Sequence, residues 1–267
     1  MAEVSPDEYE APVLLSQDEV VFPHSEVAIT ARDPRNSHAL LQAVKEHQLI
    51  VFMPGGSSKD FAGSIGTLAL IRKTHQTGGS VNASLKGLWR IRVEKVLEES
   101  NYARVRFTKA EEAYESSAAK PGSMTAVLSQ IDEFVRLIPG IPPEIIATLR
   151  SAESPGKLAD LCANSPGISS EERLDLLNTL GAEERLEKVN KLFERHLAAL
   201  RELAKIKTIT DCDTCMELAD RAFESESNRG QIAMEFLNHV VQEHTGELLG
   251  LLAERYGPTF LRRRALK

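Results

Sequence analysis

No stretch of this 267-residue chain reads Gly-x-x-x-x-Gly-Lys-Ser/Thr, so nothing in it cradles nucleotide phosphates in the manner of a P-loop. Gly55-Gly56 and Gly78-Gly79 lack the following Lys-Ser/Thr and read as turns. Cysteine is scarce, and an odd total of three argues against a disulfide framework. No apolar run approaches the roughly 20 residues that a membrane helix requires. Met1 to Glu10 is acidic and polar, without the apolar core of a signal peptide, which makes a cytoplasmic location the expectation. Basic charge is not in surplus either. The net charge is −7, and neither the first 120 residues nor the remainder is net positive, so neither half carries a nucleic-acid-binding footprint. With no recognisable catalytic dyad or triad, the chain is expected to be a non-enzymatic protein-binding module that needs no cofactor.

What is present is ordinary folded composition, 42% hydrophobic and 27% charged, in a chain long enough for one large or two average domains. Val13 to Phe22, Leu49 to Met53, Ile65 to Ile71 and Val81 to Leu85 read as strands, with Gly66 marking a close approach or a bulge. Trp89 to Val96 alternates, Trp89, Ile91 and Val93 against Arg90, Arg92 and Glu94. Tyr102 to Phe107 does the same, Val105 and Phe107 against Arg104 and Arg106. Thr77-Gly78-Gly79-Ser80 predicts a hairpin turn, and Arg35 to Glu46 a helix capped by Asn36 or Ser37. Short turns between the strands suggest a small closed barrel.

From about Met124 the period changes to 3.6. Val127, Ile131, Phe134, Val135 and Ile138 form a stripe that Pro139-Gly140 stops. Pro142-Pro143 opens a second helix, Ser154-Pro155-Gly156 separates a third, and Ser169 or Ser170 caps a fourth over Glu171 to Leu177. Glu183 begins the longest run, and Met216 to Tyr256 is again helical in pattern. The fold class expected is α+β: a β-barrel domain over about 10–115, then an all-helical domain over about 120–267.

These residues resemble the N-terminal, substrate-binding region of the ATP-dependent Lon proteases. The likeness lies in Leu14 to Pro23, which ends in Val-Phe-Pro, in Gly66-Thr67-Leu68-Ala69, and in Gly87-Leu88-Trp89-Arg90-Ile91-Arg92-Val93. It resumes at Pro155-Gly156-Lys157-Leu158-Ala159-Asp160 and in the paired helices beyond, and it departs at Ser16 and Gln17, where the family usually has Leu and Arg. It stops near Thr208. The family's protease domain, with its Ser-Lys pair, has no counterpart. The resemblance implies a small PUA-like barrel followed by a helical bundle, and recognition of unfolded, damaged or regulatory polypeptides, with a Lon-type protease as a further partner. Two settings fit, a stand-alone homologue, which the unmatched tail favours, or the leading fragment of a longer protease; reading the gene past Lys267 separates them.

Four apolar residues at strand ends or in loops, Phe22, Phe52, Met53 and Phe61, are the candidate substrate-binding residues if they form an exposed groove; core packing is the plainer reading of each. Cys212-Asp213-Thr214-Cys215 has the spacing of a redox pair or half a zinc site, but no second Cys-x-x-Cys exists and incidental spacing is the simpler account; no metal is assigned. Arg90, Arg92, Arg104 and Arg106 make a basic stripe if their strands pair. A solvated face explains it most simply, and RNA binding by a PUA-like module is the alternative function. Leu186, Val189, Phe193, Leu197, Leu200 and Leu203 could form a seam for a homo-oligomer, or simply core. Apolar residues from Phe223 to Leu252 are expected to fold back on the long helix.

Overall fold

The computed structural model describes residues 9–17, 19–55, 61–98, 101–112, 123–138 and 140–206, with side chains to 201. Six strands and six helices lie among them. In chain order they are β1 (Tyr9–Ser16), β2 (Glu26–Ala31), α1 (Pro34–Lys45), β3 (Leu49–Pro54), β4 (Ile65–Thr77), β5 (Ser80–Glu98) and β6 (Ala103–Lys109). Then follow α2 (Ser123–Leu137), α3 (Pro143–Arg150), α4 (Pro155–Cys162), α5 (Ser170–Asn178) and α6 (Ala182–Ile206). The Cys212-Cys215 pair, Leu203's side chain and the apolar tail from Phe223 fall outside the described residues.

The strands form one mixed sheet in the order β2-β5-β4-β3-β1-β6. β1 and β3 run parallel and the other pairs antiparallel. β5 is 19 residues long and also pairs with β6, so the pairings run in a ring through β5, β4, β3, β1 and β6. β2 is added outside that ring, bonded among the described strands to β5 alone. The expected α+β class holds, with the strands forming a mixed sheet.

Local chemistry accounts for the elements. Thr77 pairs with Ser80 across Gly78 and Gly79, whose φ values of 56° and 87° suit a two-residue hairpin loop that glycine enters without steric cost. Asp33, rather than Asn36 or Ser37, caps α1, accepting from the Asn36 N–H at 2.8 Å, with Pro34 in the first turn. Asn36 instead ties the helix to β1, accepting from the Leu15 N–H at 2.9 Å and donating to the Leu15 carbonyl at 2.8 Å. Ser169 and Glu172 form a reciprocal capping box on α5.

Because side chains alternate along a strand, the sheet buries residues on both faces. Leu14, Ile50, Phe52 and Leu85 join α1 residues Ala39, Leu40 and Ala43 in one core. Val13, Val51, Met53, Ile91, Val105 and Phe107 make a second. Contacts group the chain into two compact units, the first from 1–128 and 142–190, the second from 129–141 and 191 onward. The first holds the sheet, α1 and α3 to α5. Within the second, the Phe134 and Phe193 rings meet edge to face at 5.1 Å, and Arg201 binds both oxygens of Glu133 at 2.6 and 2.7 Å. Those hydrogen bonds hold the Glu133 carboxyl below its ordinary pKa. Leu186, Val189, Phe193 and Leu197 are buried within the single chain, so their stripe requires no second copy.

Candidate functional site

A groove of about 760 Å³ opens in the first unit, within the range of about 300–1,000 Å³ usual for binding pockets. Its sheet side is the stretch from Glu19 to Ile29 with Lys86; its helical side is Thr148 of α3, Leu161 and Asn164 around the end of α4, and Arg173 of α5.

The chain from Val20 to Ser25 is anchored through its backbone carbonyl and N–H groups by single bonds rather than by a strand ladder. Thr67 Oγ1 donates to the Val21 carbonyl at 2.6 Å and Ser25 Oγ to the Phe22 carbonyl at 2.6 Å. The His24 N–H donates to the Gly87 carbonyl at 2.9 Å, with His24 in the left-handed region at φ 65°. This crossing depends on Gly87: a Cβ there would overlap the Phe22 carbonyl oxygen. Gly87→Ala is therefore expected to displace the rim and to cost about 1–3 kcal/mol, as overpacking a tight contact does. Urea unfolding of the variant beside the parent measures it.

A buried ionic cluster fastens the helical side to β5. Arg90 reaches both oxygens of Asp160 at 2.8 and 2.7 Å, and its Nε donates to the Leu177 carbonyl at 2.9 Å. Both side chains are 2% exposed. Arg185, wholly buried, donates to the Thr179 carbonyl at 2.7 Å and to Glu112. Its Nε lies 2.9 Å from Asp160 Oδ1, close enough for charge attraction but out of line for a hydrogen bond. One carboxylate thus serves two guanidinium groups, joining β5, α4, the end of α5 and α6.

The four apolar candidates lie in the interior. Phe22 and Phe52 are 0% exposed, Met53 1% and Phe61 6%. Phe52 and Met53 are adjacent on β3 and therefore enter opposite cores. In this conformation the four make no common surface, and core packing describes their positions.

The arginine stripe is also altered. β5 and β6 do pair, but Arg90 points into the ionic cluster instead of solvent. Arg106 binds Glu10 at 2.8 Å, and Arg104 binds Glu46. Burial works against charge on Glu46, yet bonds from Gln42 and Arg104 overcome it and hold the carboxyl below its ordinary range. Arg92 is exposed, donating to the Gly63 carbonyl at 3.1 Å. Three of the four guanidiniums already face carboxylates, which does not favour phosphate binding. Cys162 is buried, and burial pushes its thiol pKa up to about 12, so it is no thiolate nucleophile near neutral pH. Among the described residues no group of His, Cys, Asp and Glu could hold a metal ion, and no helix is long and apolar enough to cross a membrane.

The family model for the substrate-binding domain of ATP-dependent protease La (Lon) matches residues 10–195. The chain belongs to the Lon substrate-binding domain family. Its match takes in the groove, the ionic cluster and both cores. Similar proteins include Lon protease of Xanthomonas oryzae, 29% identical over 198 residues, covering 70% of this chain and 23% of that protein. Lon protease of Methylocella silvestris is 30% identical over 190 residues, covering 68% and 23%. The chain thus spans about a quarter of the length of the curated Lon proteases it matches. The N-terminal domain of a Mycobacterium avium complex Lon protease has the same fold, with a TM-score of 0.59 at 22% identity, over 70% of this chain and 100% of that one.

Proposed function

We propose that this protein recognises non-native or regulatory polypeptides without chemistry of its own, acting alone or together with a Lon-type protease. The observation that carries the reading is the substrate-binding-domain match over residues 10–195, which includes every residue lining the groove. The groove supports it chemically. Glu19, Glu26, Lys86 and Arg173 all line it, together with Val20, Val27 and Leu161, so no single charge selects one ligand. A site of mixed charge and modest apolar area suits partners that differ in sequence. The test is equilibrium binding of one protein offered in an unfolded and a native form. Saturable binding of the unfolded form alone is expected; indifference to both forms would refute it.

A further inference from the structure

The strand that lines the groove has an edge that no described strand covers. β2 ends the sheet order and is bonded only to β5. Its residues Glu26 to Ile29 line the groove. The ladder fixes which backbone groups point away from β5. Gly87 N–H donates to the Ser25 carbonyl at 2.9 Å, and the register continues unbroken from Glu26 opposite Lys86 to Ala31 opposite Val81. In an antiparallel pair, alternate residues exchange hydrogen bonds with the partner strand. Val27, Ile29 and Ala31 therefore bond to β5, while Glu26, Ala28 and Thr30 direct their N–H and C=O groups outward.

We propose that a non-native polypeptide binds by adding itself, in extended form, as a strand along this edge of β2. Resting on the function proposed above, this names the mode of capture. Three observations favour it. The edge is lightly guarded against pairing: Glu26 at its start is its one charge, and from Glu26 to Ala31 it has no proline, no lysine and no bulge, whereas the ladders of β5 with β4 and with β6 both carry register shifts. The side chains beside the outward groups are exposed and mostly small, Ala28 and Thr30, leaving room for an incoming backbone. Finally, six residues of strand offer about 20 Å of main-chain donors and acceptors, a pattern every extended polypeptide matches whatever its sequence. Native proteins keep such segments paired, so the edge distinguishes unfolded from folded chains without reading side chains.

The experiment is amide hydrogen exchange on the full chain, with and without saturating reduced, carboxymethylated lactalbumin, its binding followed separately by fluorescence anisotropy of the labelled polypeptide. The amides of Ala28 and Thr30 are expected to slow about tenfold or more on binding, as newly bonded groups do, while those of Val27 and Ile29 are protected in both states. Ala28→Pro removes an outward donor at an edge position where the ladder tolerates proline. It should weaken binding about tenfold, the loss of one or two hydrogen bonds, while Ala28→Ser should bind like the parent. If lactalbumin binds and the Ala28 and Thr30 amides exchange as before, strand addition is wrong although polypeptide recognition stands. If it does not bind at all, the recognition reading fails and this proposal fails with it.

Discussion

Replacing Asp160 by Asn is expected to lower the unfolding free energy by about 3–5 kcal/mol, because it removes the counter-charge of a buried ion pair and strands the remaining charge. Asp160 is 1% exposed and answers Arg90 with both oxygens while lying 2.9 Å from Arg185 Nε. An amide keeps the shape of the carboxylate but loses its charge and turns a donor toward one guanidinium nitrogen, leaving Arg90 charged, buried and bonded to a single neutral oxygen there besides the Leu176 and Leu177 carbonyls. Arg185 retains Glu112 and the Thr179 carbonyl, so the loss centres on Arg90. Urea titration should show a lower midpoint with an unchanged slope, the signature of lost stability rather than an altered denatured state. Converting the pair together, Arg90→Met with Asp160→Leu, should restore much of the loss, since apolar replacement of a buried pair is often near neutral. A loss below about 1 kcal/mol for the single variant would place the pair in water, where such bridges contribute little.

Phe22→Ala should be comparably severe, about 3–5 kcal/mol, since it empties a fully enclosed aromatic site. Phe22 is 0% exposed, and the Arg90 guanidinium stands 5.9 Å from its ring centroid. That contact makes the two substitutions neighbours, so their combined effect should depart from additivity. Phe22→Ala also separates two roles for this residue. If it belongs to the core, polypeptide binding measured under conditions where the variant stays folded should match the parent. If it contacts polypeptide directly, affinity falls even in the folded variant.

Much of the fold was legible because local chemistry dictated it. The hairpin at Gly78-Gly79, the helix after Asp33, the capped helix after Ser169 and the long helix from Ala182 each depend on residues a few positions apart. β2 escaped notice: its buried or half-buried positions are Val27, Ile29 and Ala31, alternating with exposed Glu26, Ala28 and Thr30, and the alanines blur the contrast. Val81 to Leu85 and Trp89 to Val96 read as two strands because Gly87 interrupts the pattern, yet β5 passes through it, the missing Cβ making room for Phe22's backbone. Arg90 fits the polar half of a perfect alternation, and its partner lies 70 residues away on a helix. The one available signal was Asp160, a charge set between Ala159 and Leu161 in an otherwise apolar turn. The groove was not legible in the sequence: its walls come from segments far apart in the chain, and none of Phe22, Phe52, Met53 and Phe61 is among the residues that line it.

The claim that this protein recognises non-native polypeptides is tested most directly by titrating the labelled full chain with lactalbumin in two forms, native and reduced-carboxymethylated, at low and at moderate salt. The account predicts saturable binding of the unfolded form at both salt concentrations and none of the native form. Equal binding of both forms, or binding that vanishes with added salt as simple charge attraction does, would contradict it.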